Sequence, residues 1–382
     1  MTASSYLADR SRRTLLRSAP GSLAWALAGG MMGSGSIASA EPVPSSGVPA
    51  VDRLAIRVVT DSYHHAFEPS RTVGDVRIQR VGTTLSKVAA PRTLQNEWGL
   101  SLHLESSLSG ESRQVLIDFG FTSATLNSNL DVLGVDPGRL DALVLSHGHY
   151  DHFGGLVGFL ETHRGRIKAG LPFVLGGEEC FCSREGGIGE NIGSFGALDR
   201  QAIANAKLAV RYAERPSLVA GHAFTTGRIP ADSFERVLSP TRMSVGVKDG
   251  VGCAPEGLPE DKRNVTTLIP DDFQHEQATA FVVRDKGLVV MTSCGHRGVV
   301  NSVRTAQKVS GVQKVHAILG GFHLAPHPPE YLRQTAEAIK TLSPDWLIPM
   351  HCSGEPFFAI ARDVLGDKVL RSSTGTRFVF GA

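Results

Sequence analysis

Cysteine is scarce in this chain of 382 residues. The five present, Cys180, Cys182, Cys253, Cys294 and Cys352, are an odd number that cannot all pair within one chain. An excess of one charge is also lacking, with 39 Lys and Arg against 37 Asp and Glu. A near-neutral surface gives no electrostatic footprint for nucleic acid or anionic lipid. Nor is there a basic stretch interleaved with aromatics of the kind that binds single strands. No internal repeat recurs at a fixed period, and no Gly-x-Ser-x-Gly elbow supplies a nucleophilic serine.

What the chain has is 41% hydrophobic content, ample for a large core. At its amino end, Ser11-Arg12-Arg13-Thr14-Leu15-Leu16-Arg17 is a twin-arginine signature, and Ala38-Ser39-Ala40 is a small-x-small cleavage site. The apolar run between them, Ser22 to Met32, is glycine-rich and well under the roughly 20 residues that span a bilayer. Residues 1–40 therefore read as a Tat export signal, handled by the Tat translocase and removed without stable membrane insertion. Its loss takes away four arginines and one aspartate and leaves a formal charge of −1. The expected location is a bacterial periplasm or the medium. Residues 41–53 are expected to be a flexible lead.

Alternating or continuous apolar runs predict strands over 54–60, 100–105, 114–119 and 141–145, and helices over 122–134 and 153–163. A middle insertion, about 176–277, has weak periodicity and many glycines. Beyond it come predicted strands at 278–284, 288–292, 315–319 and 346–349 and helices at 299–309 and 329–342. The strands thus fall into clusters of about 54–175 and 278–380, expected to be two sheets of one domain.

The densest chemistry is Ser146-His147-Gly148-His149-Tyr150-Asp151-His152, just past a buried strand. Alternate side chains in an extended or turning backbone share a face, so His147 and His149 can converge on one metal while Asp151 and His152 face a second. His296, His323 and His351 each follow a predicted strand as well.

With Glu97-Trp98-Gly99, Asp118-Phe119-Gly120, Cys294-Gly295-His296, Gly320-Gly321-Phe322-His323 and His351-Cys352, this ordered set resembles the metallo-β-lactamase superfamily, and within it the dihydropterin-ribofuranosylaminobenzene-phosphate synthase-like branch. The resemblance implies an α/β fold, a four-layer αββα sandwich over residues 54–382. It also implies two metal positions, one held by His147, His149 and a third downstream histidine, for which we choose His296, the other by Asp151, His152 and His351. Zinc is the expected ion, two per chain, with iron or manganese as alternatives.

Many relatives carry a bridging aspartate where this chain has Cys294, read here as a packing thiol with ligation as the alternative. His323 is either a ligand or substrate contact or a hydrogen-bond partner behind the site. Arg228 is a candidate for holding a substrate anion, set against a solvated loop arginine. Asp271, Asp272, His275 and Glu276 form a second cluster, which either approaches the metals or is a solvated charge run. The implied chemistry is hydrolysis of a small-molecule ester, lactone, amide or phosphoester by metal-activated water, with Asp151 as ligand and proton acceptor. The competing readings are a mononuclear-iron oxidoreductase of the same fold and a non-catalytic metal-containing periplasmic binding protein.

Overall fold

The computed structural model describes residues 37–45, 47–82, 91–188, 191–238 and 241–381. The twin-arginine signature and its apolar run lie outside the described residues.

Two large sheets carry the fold. The first has ten strands, ordered Ala38–Ser39, Ala209–Tyr212, Pro172–Leu175, Ala142–Val144, Glu111–Ile117, Ser101–Leu108, Arg53–Thr60, Arg377–Gly381, Val76–Gln79 and Arg71–Val73. The second runs Ser217–Val219, Ala223–Thr225, Thr279–Val283, Gly287–Thr292, Val315–Gly320 and Trp346–Pro349, with Ala50–Val51 added beside Thr279–Val283.

Side-chain alternation turns these sheets into four layers, because successive residues of a strand point to opposite faces. Ile56, Val58, Val115, Ile117 and Val144 meet Val289, Met291, Leu319 and Ile348 in a core between the sheets. Their neighbours Leu116 and Leu143 point outward onto the helices Ser123–Val132 and Leu156–Thr162 through Leu126, Leu130, Leu156 and Phe159. On the far side Leu288, Val290, Ile318 and Leu347 meet Val303, Leu332, Ile339 and Phe357 from Val299–Ser310, Pro329–Thr341 and Glu355–Leu365. The αββα sandwich expected from the sequence is thus the observed architecture, its strands buried on both faces. None of the helices is long and apolar enough to cross a membrane, among the described residues.

The partition into two sequence clusters needs correction. The last strand, Arg377–Gly381, pairs antiparallel with Arg53–Thr60 in the first sheet and not with its sequence neighbours. Phe378 and Phe380 are drawn there by the inter-sheet core. The middle insertion also threads both sheets: Ala209–Tyr212 joins the first, and Ser217–Val219 and Ala223–Thr225 join the second. Much of the remainder makes a small sheet from Asn191–Ser194, Ser183–Ile188, Arg242–Ser244 and Ile269–Pro270 and a two-stranded pair of Gly246–Lys248 with Val251–Cys253. Cys182 and Cys253 form a disulfide across 71 residues of this region. In the segment leading into the domain, Ala38–Ser39 pairs with Arg211–Tyr212, Ala40 is buried, and Ala50–Val51 pairs with Val282–Val283.

Candidate metal centre

The site forms where the carboxyl ends of strands from both sheets meet. The strand Ala142–Val144 is wholly buried, and Leu145 N–H still donates to Val174 O before the chain turns away as Ser146. Asp118, at the end of the adjacent strand, sets that turn. Its carboxylate accepts from Ser146 N (2.8 Å), from Ser146 Oγ (2.7 Å) and from His152 Nδ1 (2.8 Å), with all three residues buried.

These bonds fix the imidazole tautomers. Asp118 takes the Nδ1 proton of His152, so Nε2 presents its lone pair. The Ser146 hydroxyl spends its proton on Asp118 and accepts from His147 Nδ1 at 2.9 Å, so His147 also presents Nε2. Both Nε2 atoms are buried without a hydrogen-bond partner among the described residues. Asp118 is the functional residue that the sequence reading left without a role. Its signal was an aspartate closing a buried strand at the same rim as the histidine loop.

Other residues converge on the same place. The rings of His147 and His152 lie 4.3 Å apart, His147 and His296 4.9 Å, and His152 and His351 5.1 Å. Asp151, in the first turn of the short helix Tyr150–Phe153, brings Oδ2 to 3.2 Å from His351 Nε2 and leaves Oδ1 without a partner. His296 stacks on Phe273 at 3.9 Å, and its backbone N–H donates to the buried carboxylate of Glu276. The half-exposed Trp98 lies 4.8 Å from the His351 ring, on the side of the cluster nearest solvent.

Buried polar atoms in folded proteins are nearly always paired. Among the described residues, Nε2 of His147 and His152, both ring nitrogens of His296, Asp151 Oδ1 and His351 Nδ1 have no hydrogen-bond partner. Two groups have their donor atoms within 4.8 Å of one another, His147 with Cys294 and His296, and His152 with Cys294 and His351. Imidazole, carboxylate and thiol are the donor set of zinc, so the residues present fit the expected ions.

Burial and neighbouring imidazoles push His147 and His296 well below the ordinary histidine range, and burial takes His149 to about 3. All three are neutral at physiological pH, which is the ligating form. Burial works to raise the Asp151 carboxyl, but His152 and His351 outweigh it and hold the group ionised.

The metallo-β-lactamase superfamily profile matches residues 107–169, which contain the first sheet's contribution to this centre. Over those residues the chain is similar to that superfamily. The 7,8-dihydropterin-6-methyl-4-(β-D-ribofuranosyl)-aminobenzene-5'-phosphate synthase of Methanocaldococcus jannaschii is 26% identical over 272 residues, covering 68% of this chain and 82% of that one. An uncharacterised protein of the same organism is 28% identical over 243 residues, 64% of this chain and 80% of its own. The structure of Tm1679, described as a metal-dependent hydrolase of the β-lactamase superfamily, superposes with a TM-score of 0.59 at 20% identity, covering 85% of this chain and 98% of that one.

Of the residues expected at the superfamily centre, the structure gathers His147, His149, Asp151, His152, His296 and His351. His149 Nε2 is 3.0 Å from Thr241 Oγ1, and its ring lies 4.8 Å from that of His296. Cys294, read as a packing thiol, lies between the two histidine groups, and the His323 ring is 4.1 Å from His296. Arg228 is elsewhere engaged, pairing at 3.0 Å with Glu214 in an exposed loop.

The second acidic cluster is mostly buried and braces the histidine loop from behind. Asp271 pairs with the fully buried Arg184 at 2.5 Å. Arg184 Nη2 and Gly148 N–H both lie within hydrogen-bonding distance of His275 Nε2, and His275 Nδ1 faces Glu179. Lys262 joins Glu179 to Asp272. The solvated-charge alternative therefore describes none of Asp271, His275 and Glu276, all buried.

Proposed function

We propose that this protein is an exported metal-dependent hydrolase acting on a small molecule with an ester, lactone, amide or phosphoester bond. The observation that carries the reading is the set of buried, unpartnered ligand atoms on His147, Asp151, His152, His296 and His351. Two zinc ions suit that donor set, with iron or manganese as substitutes. When bound, such ions polarise a substrate oxygen and make water acidic enough to attack near neutral pH.

The chain's own groups do the rest. Asp118 and Ser146 hold the imidazoles of His147 and His152 in the tautomer that turns Nε2 inward. Asp151 Oδ1, free of protein partners, is the atom available to take a proton from the attacking water. Trp98 offers an apolar face on the side nearest solvent, beside His351. Export is supported by the twin-arginine signature and by the Cys182–Cys253 disulfide, a bond that persists in oxidising compartments. Under this reading the partners are the Tat translocase and a small substrate, with no nucleic acid and no lasting membrane insertion.

The test is to strip the purified chain, restore it with zinc, and screen esters, lactones and phosphodiesters. Hydrolysis should return with zinc and fall at least about 100-fold in Asp151→Ala. Turnover only with iron and with consumption of dioxygen would instead favour the oxidoreductase. The Methanocaldococcus jannaschii relative is named a synthase; group transfer without hydrolysis would contradict the proposal.

A further inference from the structure

The rim of the second sheet holds chemistry that the histidine–carboxylate positions use only in part, through Cys294. Cys294, His323 and Cys352 lie just beyond the ends of three adjacent parallel strands, Gly287–Thr292, Val315–Gly320 and Trp346–Pro349. Their donor atoms all lie within 4.8 Å of one another, with the two sulfurs 3.1 Å apart and Cys294 Sγ 4.0 Å from His323 Nδ1. Both thiols are free and buried. His323 Nε2 is buried with no hydrogen-bond partner among the described residues.

We propose that Cys294, Cys352 and His323 form a sulfur-rich metal position on this rim that takes a thiophilic divalent ion such as zinc, cadmium or cobalt. It rests on the metal-centre reading in sharing Cys294 with the histidine groups.

Three features of the chain favour ligation over packing. His323 N–H donates to Cys352 Sγ at 3.2 Å, the polarity that suits a sulfur carrying negative charge. His323 also sits at φ 47°, a left-handed conformation that is strained for a non-glycine residue. That strain is carried where the backbone must aim an imidazole at two sulfurs. Finally, the approach depends on glycine: a Cβ on Gly321 would lie 2.8 Å from Cys352 Sγ and would also strike Ser293 O. Two sulfurs and an imidazole are a ligand combination that zinc and its analogues prefer, whereas apolar packing alone has no need of an imidazole beside paired thiols. Binding releases one proton from each thiol to solvent and forms two metal–sulfur bonds, with no change in oxidation state.

The experiment is a cobalt titration of the stripped, reduced full chain, read in the near-ultraviolet for sulfur-to-cobalt charge transfer. The expected result is a sulfur band that falls to about half in Cys294→Ser and in Cys352→Ser, and that needs more cobalt to saturate in His323→Ala. Cobalt uptake without a sulfur band overturns this proposal alone, as does a band that Cys352→Ser leaves unchanged. No cobalt uptake overturns the hydrolase reading with it. Should a variant fail to fold, the cadmium NMR resonance of the unmodified chain decides. A strongly deshielded position reports two sulfur ligands, and one in the nitrogen and oxygen range contradicts them.

Discussion

The two rims that meet at the metal centre are built by different means. The first sheet delivers its ligands in one contiguous loop, His147 to His152, and orders them by side-chain hydrogen bonds to Asp118 and a buried ionic brace behind Gly148. The second sheet delivers single residues from separate strand ends and aims them by backbone strain. His323 and His351 both have positive φ, and Gly320 and Gly321 allow the strand ends to close up. A loop can be tuned by its supporting polar groups, while a set of strand ends is only as precise as the sheet register that carries it.

The comparison can be broken most sharply at the brace. Arg184→Ala strands the buried Asp271 carboxylate, and thermal or denaturant unfolding should show a loss of about 3–5 kcal/mol. Acid probes the same brace without mutation. Burial works to raise the Glu179 carboxyl, yet His275 and Lys262 outweigh it and bring it down from 4.5 to about 2. Because the folded value is the depressed one, the pair's stabilisation is complete above about pH 4.5 and is lost as pH falls through about 2. That window should carry on the order of 3 kcal/mol, visible as an acid unfolding limb that Glu179→Gln flattens.

A finer cut separates the rims from each other. Asp118→Asn keeps the shape but removes the charge that orients His152, and chelator competition should report about 10- to 100-fold weaker metal binding. The cobalt–sulfur band of the second rim should survive that change. At the small end, Arg228→Ala breaks an exposed pair with Glu214 and should shift stability by less than about 1 kcal/mol, with metal content unchanged.

The difference between the rims also explains what the sequence disclosed. The loop from His147 to His152 was legible because its ligands are neighbours in the chain and follow a short apolar strand. His296 and His351 were legible one at a time, through the same position after a strand. The layers were legible from alternation, as with Leu116 and Leu143 facing outward while Val115 and Val144 face the other sheet. Partnerships across the fold were not. Ser146 and Asp118 are 28 residues apart, Arg184 and Asp271 87, and Glu179 and His275 96. Local pattern cannot encode such pairings, nor the return of Arg377–Gly381 to the first sheet. Cys294 reads as packing in the linear chain because only the folded rim brings it between His147, His152 and their partners.

Metal content of the purified full chain by plasma mass spectrometry, beside Asp151→Ala, tests the central claim most directly. The account predicts at least two zinc ions per chain, two of them at the histidine–carboxylate positions, with the content reduced in the variant. One iron per chain would transfer the argument to the oxidoreductase, and a chain that holds no metal would contradict it.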